Sequence, residues 1–383
     1  MIRPLTIGIE AQRLFQPYGR GAERTALAWL QRLPSLAPQY RFVAFVRPGA
    51  DRCLAPAANL DVREVGAWSA ATWEQRALPA AVAREGVDLL HCTGGTAPLR
   101  SPVPLVLTLP SVDREQEGAY RRRVGPAAVR RAVHLTTGSA FEASRLAACF
   151  PDARAAEVIA AAPADTFRPL PNGTRLEAVR ARYRLPKRFV LLLGDAGDEH
   201  DLSVALKGYV LYARRVPRPL PLVVTDLAPA RLLALLRRIG AEDDAHRFCL
   251  TGPVAYAGRP ALYGASEAFL YAPHAHVDGQ PLLDAMACRV PVIASVAGPL
   301  PELAGGAARL VAPGDAGSVA EALREVLGSP PYAWILRERG LRRAEALSSD
   351  RAARQLLAVY ARALGQQAPS PLPCTPRPLR LVA

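Results

Sequence analysis

Between Tyr271 and Glu302 the chain reads YAPHAHVDGQPLLDAMACRVPVIASVAGPLPE, and this stretch limits the possible folds more than any other. Pro273 to Gly279 carries loop residues and Gln280 to Cys288 has the spacing of a short helix. Pro291 to Ser295 reads as a buried strand, and Gly298-Pro299 is a second loop before another helix. A unit of this kind fits an open parallel sheet. There, ligands sit at the carboxyl ends of strands, against helix amino-termini whose unpaired N–H groups favour anions. Two such amino-termini, near Pro281 and Pro301, are expected to face one crevice.

The same alternation runs through the rest of the chain. Leu5 to Glu10 predicts a short strand, and the loop Tyr18-Gly19-Arg20-Gly21 leads into a helical pattern from Ala26. Arg41 to Val46 predicts a second strand and Trp73 to Glu85 an amphipathic helix. The strand Val87 to Cys92, the loop Thr93 to Thr96 and the strand Val103 to Leu109, apolar but for Thr108, follow. Ala119 to Ala132 reads as a basic helix, Val133 to Thr137 and Val158 to Ala161 as strands, with Ser139 as a helix cap between them. Phe189 to Gly194 opens a second series, in which strands at 221–224, 248–252 and 268–272 alternate with helices at 203–215, 228–239 and 259–264. Helices at 319–326, 333–347 and 351–364 end it, the last capped by Ser348-Ser349-Asp350. Strands alternating with helices, twice over, predict two parallel α/β sheets. The expected domains are 1–168 and 169–347, followed by a helix over 348–366 and a proline-rich, disordered tail over 367–383.

Composition narrows the partners. A net charge of +14 raises nucleic acid or an anionic membrane surface as binding partners. Nearly all of the basic charge is arginine, however, since Lys187 and Lys207 are the sole lysines, and apart from Arg121-Arg122-Arg123 and Arg130-Arg131 it is spread out. No nucleic-acid-reading module accompanies it, so loose peripheral contact with anionic lipid is the better expectation. No apolar run is long enough to span a bilayer and Met1 to Gly8 lacks a signal-peptide core, so a cytoplasmic location is expected. The six cysteines have no paired spacing, and neither a metal site nor a disulfide framework is expected; Cys92, Cys249 and Cys288 read as small buried hydrophobes.

The order of Gly279, Pro281, Leu283, Ala285-Met286-Ala287-Cys288, Pro291-Val292-Ile293, Ser295 and Pro301-Glu302 resembles the donor-site region of retaining glycosyltransferases of family 4. IGIEAQRLF with Gly21, VDLLHCTGGTAPL, PVPLVLTLP, Gly138 to Phe141 and Pro163 to Pro169 resemble further segments of that family, so the likeness covers residues 5 to 364. It implies the GT-B fold: α/β, two Rossmann-like doubly wound domains facing a central cleft, with a C-terminal crossover helix packed back on the first domain. It also implies transfer of a sugar from a nucleotide-sugar donor to a glycan or lipid-linked acceptor, with retention and without a metal or other cofactor. The implied donor-binding residues are Gly21, Gly194, His200, Gly279, Ser295, Gly298 and Glu302. The implied catalytic positions are His276, beside the donor sugar, and Asp284, on the ribose hydroxyls.

The likeness is one of scaffold more than of chemistry. Where the family has two glutamates this chain has His276 and Asp284; where it has a His-Asp pair, Pro110 and Ser111; and where two basic groups hold the diphosphate, Asp195 and His200. A diphosphate near Asp195, Asp198, Glu199 and Asp201 is expected to be repelled by about 4 kcal/mol per contacting pair at an effective dielectric near 20. A bound diphosphate that raised the pKa of His200 would supply one cation there. His91 is expected to be a satisfied core histidine. Two readings of function follow: a glycosyltransferase, or a catalytically impaired GT-B protein that binds or scaffolds an active one. A transferase with a differently charged donor is a third.

Overall fold

The computed structural model describes residues 3–12, 21–49, 57–110, 118–169, 174–195, 198–274 and 279–366. His276, Ser111 and the tail over 367–383 lie outside the described residues. The strands fall into two sheets, each parallel throughout. The first has seven strands, β1 (Thr6–Glu10), β2 (Arg41–Val46), β3 (Leu60–Glu64), β4 (Leu89–Cys92), β5 (Leu105–Leu109), β6 (His134–Thr137) and β7 (Ala156–Val158), in the order β3-β2-β1-β4-β5-β6-β7. The second has six, β8 (Val190–Leu193), β9 (Leu222–Thr225), β10 (Phe248–Leu250), β11 (Ala268–Tyr271), β12 (Val292–Ser295) and β13 (Arg309–Val311), in the order β10-β9-β8-β11-β12-β13. Each order reverses direction once, between β1 and β4 and between β8 and β11, and a crevice opens at the carboxyl ends of such a pair.

Helices cover both faces of each sheet. With the first go α1 (Gly21–Leu36), α2 (Ala70–Thr72), α3 (Leu78–Arg84), α4 (Ala119–Arg131) and α5 (Ala140–Cys149). With the second go α6 (Thr174–Tyr183), α7 (Glu199–Arg215), α8 (Pro229–Arg238), α9 (Arg259–Ala265), α10 (Gln280–Ala287), α11 (Leu300–Ala304), α12 (Ala316–Gly328) and α13 (Pro330–Ala346). Strands β5, β8, β9, β11 and β12 are buried at every position, which is why their sequences are largely apolar without alternation. Burying a side chain such as Phe45 or Phe269 contributes roughly 1.5–3 kcal/mol. The last helix, α14 (Ser349–Ala363), returns to the first sheet, where Leu356, Val359 and Tyr360 join Trp29, Leu30 and Leu33 of α1 in one core. No helix among the described residues is long and apolar enough to cross a membrane.

Four local expectations need correction. Strand β3 was not foreseen because only Leu60 and Val62 of its five side chains are apolar and none is fully buried; it pairs along β2 from Phe42↔Leu60, and Arg41 and Arg63 tie Asp61 to Glu85 beside it. Helix α6 has no marked apolar stripe and was likewise missed. The helix expected over 73–85 is broken by a π-helical segment, Trp73–Ala77. Pro79 has no N–H for the carbonyl of Gln75, so the register widens there. The widening seats Trp73 fully buried, with its indole N–H on Val65 O at 2.8 Å. Finally, β7 ends at Val158, and Ile159 to Ala162 run on as the buried start of the crossing to the second domain. Among the cysteines, Cys249 is only half-buried, on the edge strand β10, whereas Cys92 and Cys288 are buried as expected.

Candidate functional site

The second sheet's crevice lies at the carboxyl ends of β8 and β11. Gly194 follows β8, and a Cβ there would overlap the carbonyl oxygen of Thr225, which accepts the Gly194 N–H at 3.0 Å. The close approach of β8 to β9 therefore requires glycine. Gly279 caps α10 in the left-handed region, φ +71°, with its Cα against Leu303. Ser295 ends β12 fully buried, and its hydroxyl donates to the carbonyl of Pro273, tying the end of β12 to the loop that follows β11. Gly298 lies on the loop into α11, where Phe141 of the first domain is the nearest neighbour to its open side. Gly21 is the first residue of α1.

Asp284 is brought to this region but not to its surface. It lies in α10, 2% exposed, and accepts a hydrogen bond at 2.9 Å from Gln280, whose amide also donates to Ala162 O at 3.0 Å. A carboxylate one methylene shorter than glutamate stays within reach of its own helix. Glu302 is turned away altogether: its carboxylate accepts the backbone N–H groups of Ala140 and Phe141 in the first domain.

The acidic run after β8 is where the sequence expectation fails most. Asp195 is paired at 2.5 Å with Arg259, the first residue of α9, which also faces Asp226 at 3.4 Å. Burial works against the Arg259 charge, yet Asp195 and then Asp226 outweigh it and hold the guanidinium above its ordinary pKa. Asp198 and Asp201 form a capping box at the start of α7, and Glu199 pairs with Arg238 at 2.9 Å. Each of these acids has a partner in the fold, and Arg259 and Arg238 offset part of the repulsion expected of them.

The imidazole whose pKa the acidic run raises is that of His274. His274, at the end of the β11 loop, touches His200 only through an edge-to-face ring contact at 4.7 Å. Its Nδ1 lies 2.6 Å from Asp201 and 4.0 Å from Asp198. The hydrogen bond to Asp201 leads, burial opposes it, and the two carboxylate charges add to it, so the pKa of His274 is raised. Its positive charge is thus retained to higher pH than that of a free imidazole and lost as pH rises through the folded value. Asp198, Asp201 and His274 also form the one trio among the described residues whose ligand atoms could meet at a metal ion, all within 4.8 Å. The capping box and the His274 hydrogen bond already account for those atoms. His91, as expected, is a core residue: 1% exposed, with Nδ1 2.7 Å from Tyr360 Oη and Nε2 2.7 Å from Thr108 Oγ1. Sequence reasoning missed Arg259 and His274; for Arg259 the available signal was an arginine directly before Pro260 at a helix start.

Residues 220–329 match the family model described as glycosyl transferases group 1. The chain is 26% identical over 194 residues to the O-antigen chain mannosyltransferase B of Escherichia coli, a match covering 48% of each protein. It therefore spans about half the length of that curated relative. In three dimensions it resembles sucrose-phosphate synthase from Thermosynechococcus elongatus, with a TM-score of 0.74 and 19% identity over 94% of this chain and 99% of that one. It also resembles the Anabaena protein Alr3699/HepE, solved with UDP and glucose, with a TM-score of 0.71 and 16% identity over 93% and 99%. Two doubly wound parallel sheets and a last helix that returns to the first give this chain the GT-B fold of those solved structures, and its residues 220–329 are similar to group 1 glycosyl transferases.

Proposed function

We propose that the chain transfers a sugar from a nucleotide-sugar donor to a glycan or lipid-linked acceptor, with retained anomeric configuration. The observation that carries this reading is the pairing of Asp195 with Arg259. It takes up one of the acidic charges that would repel a diphosphate at the carboxyl ends of β8 and β11. In this reading the starts of α1 and α11 face the phosphates, with raised-pKa His274 as a nearby cation. Asp284 shapes the ribose side from within α10. The E. coli relative is named for mannosyl transfer and the Anabaena structure for UDP and glucose, which favours a nucleotide-activated hexose.

Calorimetric titration with uridine, guanosine and adenosine diphosphates tests the reading. One of the three is expected to bind in the micromolar range, with affinity that weakens as pH rises and His274 loses its proton, and that is unaffected by EDTA. No heat with any of them would favour a non-catalytic binding or scaffold protein.

Peripheral contact with anionic lipid belongs to the same proposal. Arg122, Arg123, Arg130 and Arg131 are exposed on α4, and Trp68 and Leu99 are exposed on neighbouring segments. Gln75 joins these segments through Tyr120 Oη and the backbone of Ala97 and Leu99. Sedimentation with phosphatidylglycerol vesicles is expected to carry the protein down at low salt and release it at high salt. Equal recovery with uncharged vesicles would count against this face.

A further inference from the structure

Glu302 stands in the first turn of α11, in the second domain, yet its carboxylate is spent on the first. One oxygen accepts the N–H of Ala140 at 2.8 Å and the other that of Phe141 at 3.0 Å; these are the first two residues of α5. The next N–H, that of Glu142, is taken by the side chain of Ser139 at 3.1 Å. The opening N–H groups of a helix have no acceptor within the helix and form the positive end of its dipole, so a carboxylate is the side chain that suits them best. Such charge-assisted bonds are shorter and stronger than neutral ones.

The other end of the contact is equally fixed. Arg343 of α13 donates to the carbonyls of Glu302 at 2.8 Å and Leu303 at 2.9 Å, so α11 cannot follow the carboxylate independently of its own domain. Helix α5 leaves the carboxyl end of β6 and α11 that of β12, so the bond joins one sheet's crevice edge to the other's. Its two residues are 162 positions apart, while the chain itself crosses only after β7 and again before α14.

We infer that Glu302 is a positioning residue, a latch that holds the two domains at the angle seen here and so sets the width of the cleft between them. Its consequence for turnover rests on the proposed transferase function; the latch itself is readable without any ligand.

The test compares Glu302→Ala with Ala140→Pro in the full chain. Proline is well tolerated at the first position of a helix, and Ser139 before it is already extended, φ −158° and ψ 159°. Ala140→Pro therefore deletes one donor of the latch from the opposite side while leaving α5 intact. Hydrogen exchange at the Phe141 amide is expected to speed up about tenfold or more in both variants. The radius of gyration from small-angle scattering should rise in both, and the double variant should go no further than Glu302→Ala alone. Any change in diphosphate affinity or in kcat should likewise be shared by both variants. A donor-contact role for Glu302 gives the opposite pattern: weakened nucleotide binding in Glu302→Ala only, with exchange and scattering unmoved, and that result overturns the latch. Should Glu302→Ala fail to fold, Ala140→Pro carries the same readouts alone. Failure of the wild type to bind any diphosphate would defeat the transferase reading while leaving exchange and scattering to decide the latch.

Discussion

Arg259→Met is expected to destabilise the protein by about 3 kcal/mol, read as a lower midpoint in urea unfolding. The guanidinium is nine-tenths buried, with two carboxylates on it, at 2.5 Å and 3.4 Å. Removing it strands both acids beside an apolar core that includes Val254 and Leu262. The value belongs at the low end of the range for a broken buried pair, because Asp195 is 40% exposed and water takes up part of its charge. The same argument predicts rescue. Adding Asp195→Asn to Arg259→Met should recover much of the loss, since an amide carries no charge to strand. Equal stability of Arg259→Met and wild type, or no recovery in the double variant, would mean that the two groups are not coupled as described. A charge change at Asp195 alone also has a predictable sign. Arginine there, the residue type the family likeness suggests, would face Arg259 and repel it.

The second large effect is on acid stability, through His91. Both ring nitrogens are hydrogen-bonded, and complete burial pushes the imidazole pKa down to about 3 from its ordinary 6.5. The unfolded chain takes up a proton below 6.5 while the folded chain does not until about 3. This contribution to stability is therefore fully present above 6.5, falls as the pH drops, and is exhausted near 3. The slope approaches about 1.4 kcal/mol per pH unit, so the whole window is worth several kcal/mol. His91→Gln keeps a donor and an acceptor but cannot be protonated. Its stability should fall less than that of wild type between neutral pH and about pH 4, measured as unfolding midpoints across that range. Parallel curves for the two proteins would show that His91 is not the group responsible.

Much of the architecture was legible because its causes are local. The all-apolar strands Phe189 to Gly194 and Ala268 to Ala272, and the unit from Gln280 to Glu302, carry their own periods and breakers; the structure places their strands and helices within a few residues of expectation. His91 was legible too, as a polar residue inside an apolar strand. Strand β3 and helix α6 were not, since an edge strand held by Arg41, Arg63, Asp61 and Glu85 has no apolar signature, and a weakly amphipathic helix has little. The site was legible in outline only. Gly194 follows β8, Gly279 starts α10, Ser295 ends β12 and Gly298 precedes α11, yet Asp284 is folded into α10 and Glu302 points into the other domain.

By itself, then, the order of residues determined two parallel sheets with their crevices, because strand period, helix period and turn chemistry act between near neighbours in the chain. It could not determine the electrical character of the crevice. Asp195 and Arg259 are 64 positions apart, and Glu302 and Ala140 are 162 apart. Coulomb attraction depends on distance in space, and only the packing of α9 near the end of β8, and of α11 against α5, made those distances short.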